Sequence, residues 1–159
     1  LDESIISQLT NSVLTYSDLI TNRKTDYKFD LEKFTNVNGK TGIYVQYSQV
    51  RARKLLENIE IKNNMVNHLN LNNIDKELLS KLYLFSYFLE QSALLNEPHH
   101  LANYLYEISN LFNQFYESEK ISEIDELDYL SSKIYITNLF LTTSQNVMFC
   151  LGIVPVSKM

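Results

Sequence analysis

Thr41-Gly42-Ile43-Tyr44-Val45-Gln46-Tyr47-Ser48-Gln49-Val50-Arg51-Ala52-Arg53-Lys54-Leu55-Leu56 is the stretch from which the rest of the chain is read. Thr41 offers a capping hydroxyl, and Gly42 follows as a residue that tolerates unusual backbone angles, which together signal a helix start. The residues after Gly42 contain neither glycine nor proline over about four turns. Spacings of three and four place Tyr44, Tyr47, Arg51 and Lys54 on one face. Val45, Ser48, Ala52, Leu55 or Leu56, and Ile59 fall on another, which is the stripe expected to be buried. A line of two phenols followed by two cations offers stacking surfaces for bases and charges for phosphates. The same line is also found on helices that never meet a nucleic acid, and the residues alone leave both possibilities open.

Downstream, Lys62 to Asn73 is polar and asparagine-rich, without periodicity, and is expected to be a loop. Asn72 or Asn73 then caps a helix whose first turn carries Asp75 and Glu77 against the positive helix end. Its stripe is Leu78, Leu82, Phe85 and Leu89, and Asn96-Glu97-Pro98 ends it, because Pro98 disfavours helix at Glu97; Pro98 also opens the next helix. From His99 to about Tyr116, Leu101, Tyr104, Leu105, Ile108, Leu111, Phe112 and Phe115 form a continuous apolar face, opposite Asn103, Tyr106, Asn110 and Asn113. His99 and His100 are adjacent at a helix start, where side chains diverge, so no metal is assigned to them. An acidic loop over Glu117 to Glu126 leads to a helix from Leu127 to Leu151, apolar on most sides and expected at the buried centre of a bundle. Gly152 stops it, and a short tail, Ile153 to Met159, follows.

Upstream, Ile5, Ile6, Leu9, Val13, Tyr16 and Ile20 recur at helical spacing and describe an amphipathic helix in need of a partner surface. Tyr27 and Phe29 alternate in a short extended connector, and Asn36, Asn38 and Gly39 form a turn before the central helix. The expected architecture is an all-α bundle with helices near 3–21, 43–61, 74–95, 98–117 and 127–151.

The 159 residues, 45% hydrophobic and 21% charged, suffice for a packed core. The single cysteine, Cys150, cannot form an internal disulfide and is expected in the core. No apolar run reaches membrane-spanning length, so no membrane association is expected. The net charge of −5 argues against sequence-independent nucleic-acid binding and confines any such contact to a local face. No serine–base pair, glycine-rich phosphate loop or metal-spaced Cys/His set is present, so no catalytic residue is assigned.

Two groups of residues carry a family resemblance. Asn22-Arg23-x-Thr25-Asp26-Tyr27-x-Phe29-Asp30, followed by Gly39-Lys40-Thr41-Gly42-x-Tyr44-x-Gln46-Tyr47-x-x-x-Arg51, resembles the junction of the catalytic and anticodon-binding domains of arginyl-tRNA synthetase. Glu97-Pro98-His99-His100-Leu101-Ala102-Asn103-Tyr104-Leu105-Tyr106-Glu107, with Phe112 and Phe115-Tyr116, is similar to the central helix of the DALR-type anticodon-binding domain. Leu151-Gly152-Ile153 and Met159 resemble the family's C-terminus. Ile43 stands where that family usually has proline, His100 where arginine is common, and Pro155 one place early.

The resemblance implies a helical bundle of the class I synthetase anticodon-binding type at 42–159, with 1–41 as the end of a catalytic domain and connector. It implies that Tyr44 and Tyr47 stack on or wall off a splayed base of the tRNA(Arg) anticodon stem-loop and that Gln46 reads a base edge. Arg51 and Lys54 would hold phosphates, with Lys158 and Met159 of the tail close by. Asp26 and Tyr27 either position the acceptor end or pack the junction, and packing is favoured. The family's HIGH-like and KMSK-like ATP-site signatures are absent, so the chain is expected to be a C-terminal piece without cofactor. ATP and magnesium belong to a full-length enzyme that ligates arginine to tRNA. A monomer in the cytoplasm, joined to an upstream catalytic domain, is the expected setting. A different expectation is a non-catalytic helical protein-interaction module, which suits the acidic charge and the uncapped first helix.

Overall fold

A computed structural model of the chain describes residues 2–59 and 69–159. Its elements are α1 (Glu3–Ile20), α2 (Leu31–Phe34), α3 (Gly42–Glu57), α4 (Asn73–Leu82), α5 (Phe85–Leu95), α6 (His99–Ser118), a 3₁₀ turn (Ile121–Glu123) and α7 (Leu127–Cys150). No strand occurs among the described residues, so the all-α expectation is met. The helix expected as far as residue 61 ends at Glu57, with Asn58 and Ile59 already outside it; residues 60 and 61, and the loop expected from Lys62 as far as His68, lie outside the described residues.

Local chemistry accounts for most helix ends. Asp2 caps α1, and the Thr41 hydroxyl accepts the Tyr44 N–H at 3.1 Å to cap α3. Asn72 and Asp75 form a reciprocal capping box on α4. At the far end Gly152 takes φ 71°, and Ile153 and Gly152 donate to the carbonyls of Met148 and Phe149 at 2.8 and 3.1 Å. That is a Schellman closure, which needs the left-handed residue.

The helix expected over 74–95 is two helices, broken at Tyr83 and Leu84. The cause is Tyr104 of α6, whose hydroxyl lies 3.1 Å from the carbonyls of both Lys81 and Leu82. It satisfies acceptors at the end of α4 and lets the chain turn. Nor is Pro98 the stop for α5: Asn96 turns left-handed at φ 52°, and Glu97 N–H closes on Ser92 carbonyl at 3.0 Å.

The connector Tyr27 to Phe29 pairs with no strand. Phe29 stacks on Phe34 of α2 at 5.4 Å and Tyr27 meets that ring edge-on at 6.0 Å. The Tyr27 hydroxyl also donates to Asp18 of α1, so Tyr27 ties the connector to α1 and α2.

α3 and α6 occupy the middle. α3 lies against α1, α6 and α7, and α6 lies against α1, α3, α4, α5 and α7. Gly42 shows why α1 and α3 meet so closely: a Cβ there would sit 2.4 Å from the Ser12 carbonyl oxygen. Its value is therefore small size rather than unusual backbone angles. α1 finds its partner surface inside the bundle, where the fully buried Tyr16 donates its hydroxyl to the Ala102 carbonyl at 3.0 Å. Phe112 of α6 stacks on Phe140 of α7 with centroids 4.1 Å apart, and Phe88 stacks on Tyr104 at 4.7 Å.

α7 is not apolar-buried all round. Ile136, Phe140, Val147 and Met148 are buried, but Phe149 is 83% exposed and Cys150 is also exposed, contrary to its expected place in the core. On its buried side α7 carries Lys133, which pairs with Asp75 at 2.6 Å and with Glu119 at 2.5 Å. Glu119 also accepts from Tyr129 at 2.6 Å. Burial lowers the affinity of Lys133 for its proton, but these partners outweigh burial and hold the ammonium above its ordinary range. Among the described residues no helix is long and apolar enough to cross a membrane.

Candidate nucleic-acid interface

The polar side of α6, which in isolation would face water, packs instead on α3. Asn113 donates to Ser48 at 2.9 Å, and the Tyr44 hydroxyl donates to Asn110 at 3.2 Å. The aromatic–basic face of α3 therefore lies beside this seam, and its residues differ in freedom.

Of the two tyrosines Tyr47 is the freer, at 40% exposed. The Arg51 guanidinium lies over its ring at 4.4 Å from the centroid, and 5.1 Å from that of Tyr116. Arg51 also donates to Glu117 at 2.6 Å and to Asn113 at 3.1 Å, so much of its donor capacity is taken. Burial favours deprotonation of Arg51, but the bonds to Glu117 and Tyr47 reverse the effect and raise its pKa. Expected as a phosphate holder, Arg51 is in this geometry a charged strut between α3 and α6. Tyr44 is half-buried, tilted against Tyr106 at 5.6 Å, and burial pushes its phenol pKa up.

Gln46 requires a correction. It is fully buried, not free to read a base edge. Its amide nitrogen donates to Ser12 at 2.7 Å and to the Val154 carbonyl at 2.8 Å, while its oxygen accepts the Val156 N–H at 2.9 Å. The side chain mimics a backbone partner and docks the tail on α3. Arg53 adds a bond to the Val156 carbonyl at 2.5 Å, and Val156 packs with Ile5 and Val50.

The docked tail brings Met159 to the same place as Tyr47. Ile43, Tyr47, Arg51, Val37, Asn38 and Met159 line a recess of about 370 Å³. A second recess, of about 200 Å³, shares Val37, Asn38, Tyr47 and Arg51 with it and adds Tyr44 and Asn113. Lys54 and Lys158 are exposed, line neither recess, and form no ion pair with another described residue.

Val37 and Asn38 were not foreseen. The Asn36-x-Asn38-Gly39 turn was legible, but not that it folds over the start of α3. Thr41 donates to the Asn36 carbonyl at 2.7 Å, Asn38 N–H to the Asn36 side chain at 2.8 Å, and Gly39 sits at φ 88°. His99 and His100, expected to diverge, have ring centroids only 4.1 Å apart.

A bundle with an aromatic recess between a capped helix start and a docked C-terminal tail is the class the geometry defines. Residues 45–159 match the family described as DALR anticodon binding domain, and the chain belongs to that family. Among curated relatives it is 34% identical over 141 residues to an arginine–tRNA ligase of Francisella tularensis subsp. novicida, covering 84% of this chain and 24% of the relative. It is 29% identical to that of Alkaliphilus oremlandii, over the whole of this chain and 28% of the relative. The chain thus spans about a quarter of the length of these relatives. Among solved structures, arginyl-tRNA synthetase of Thermus thermophilus superposes with a TM-score of 0.84 at 20% identity. That of Plasmodium falciparum superposes with 0.80 at 25% identity; each match covers 96% of this chain and 27% of the other.

Proposed function

We propose that this chain grips the anticodon stem-loop of tRNA(Arg) through the paired recesses around Tyr47. The observation that carries the proposal is that Tyr47 presents a ring backed by the Arg51 guanidinium at 4.4 Å, with Met159 and Asn38 at the same opening. A splayed base stacks on the exposed ring face, as unpaired RNA bases do on aromatic side chains. Asn38 supplies a donor and an acceptor for a base edge, and Lys54 and Lys158 meet phosphates at the margin. Tyr44 walls the smaller recess, and Gln46 acts indirectly by fixing the tail. In the whole polypeptide, residues 1–41 close a catalytic domain that ligates arginine to tRNA with ATP and magnesium, as a cytoplasmic monomer. The matching ligases support the arginine–tRNA ligase part of that reading.

One observation favours a second role as a protein-interaction module: α5 packs on the core through the half-buried Phe85, Phe88 and Leu89 and leaves Tyr87, Leu94 and Leu95 exposed. Fluorescence anisotropy with a labelled tRNA(Arg) anticodon stem-loop and an unrelated hairpin of equal length separates the two. Preference for the anticodon stem-loop is expected. Equal affinity for both, or none for either, would refute the proposal.

A further inference from the structure

Glu97, His99 and His100 surround the start of α6, and one ligand atom from each lies within 4.8 Å of the others. The His100 Nε2 to Glu97 Oε2 edge is 3.2 Å. A tetrahedral cation with bonds of about 2.0–2.2 Å spaces its ligands by about 3.3 Å, so one edge is already at length and the others need only side-chain movement. His99 adds an independent sign, because its Nδ1 is sealed from solvent and has no hydrogen-bond partner among the described residues. Two imidazoles and one carboxylate suit a borderline divalent cation, whereas magnesium and calcium prefer oxygen ligands.

What now holds the carboxylate is the Lys24 ammonium, 2.7 Å from Glu97 Oε1, on a side chain 70% exposed. We propose that Glu97, His99 and His100 form a binding site for a zinc-class divalent cation, which takes Glu97 Oε2 and competes with the Lys24 ammonium on Oε1 for the carboxylate's charge. Binding therefore weakens the tie between the segment after α1 and the start of α6. The site is independent of the tRNA face.

Titration of the chain with zinc chloride, followed by calorimetry and melting temperature, tests the proposal, with cobalt(II) absorption as a check on geometry. One saturable equivalent and a raised melting temperature are expected, with no response to magnesium. His100→Ala should weaken binding by about tenfold or more without loss of helical signal. Lys24→Met should tighten it severalfold, because the competing charge is gone. His68→Ala, at the one other histidine of the sequence, should change nothing. Absence of saturable binding at millimolar zinc overturns the proposal. So does binding indifferent to His100→Ala or to Lys24→Met, or abolished by His68→Ala.

Discussion

Two side chains show how much a single buried polar group organises here. Lys133 and Asp75 are both fully buried and paired at 2.6 Å. Truncating one partner leaves the other charge uncompensated, so Lys133→Ala should lose about 3–5 kcal/mol in urea denaturation. The pH dependence follows from the signs. Glu119 would be raised by burial, but Lys133 and Tyr129 bring its pKa below the ordinary glutamate value. Its contribution is present above about pH 4.3 and is lost as pH falls through the lower folded value. Lys133 has a raised pKa, so its contribution holds below about pH 10.4 and is lost as pH rises through the higher folded value. The contribution of this pair of groups should be constant between those limits and decline on both sides, so the difference in melting temperature between the parent and the Lys133→Ala variant should shrink beyond either limit. Gln46 is the second case: Gln46→Ala strands the Val156 N–H and the Val154 carbonyl and should cost about 1–3 kcal/mol. The sequence could not reveal either role. Gln46 meets partners 108 and 110 residues away, and Lys133 meets Asp75 58 residues away. Helical spacing reports which residues share a face, not what arrives to cover it.

Helices themselves were legible where periodicity and capping agree. α3 begins at the Thr41 cap, α6 buries its expected stripe, and Gly152 closes the end of α7. The misreadings have tertiary causes. Tyr104 divides a continuous pattern into α4 and α5 by taking backbone carbonyls near residue 82. α7 looks buried throughout because its exposed side, with Tyr135 and Phe149, is also aromatic. Gly42 is the most consequential element contact. Gly42→Ala pushes a methyl group against the Ser12 carbonyl at 2.4 Å, so α1 and α3 must separate. A loss of about 1–3 kcal/mol is expected, read by thermal unfolding. An unchanged melting temperature would show that the two helices are not in that contact.

At the scale of the whole molecule, a chain of net charge −5 cannot rely on general attraction to RNA, so the local balance at one face matters. Glu117 neutralises Arg51 there at 2.6 Å. Glu117→Gln should release the guanidinium toward phosphate, strengthening stem-loop binding and steepening its salt dependence by about one phosphate contact. On the proposed function, Tyr47 serves the ligand and Tyr44 serves both ligand and bundle. The most direct measurement is anticodon stem-loop affinity beside melting temperature for Tyr47→Ala, with Tyr44→Ala as the companion. For Tyr47→Ala a loss of about 1–3 kcal/mol in affinity is expected with the melting temperature nearly unchanged, because a base stack is lost but no core contact. Tyr44→Ala should lower both. A Tyr47→Ala variant that melts early yet binds the stem-loop as tightly as the parent would contradict the account.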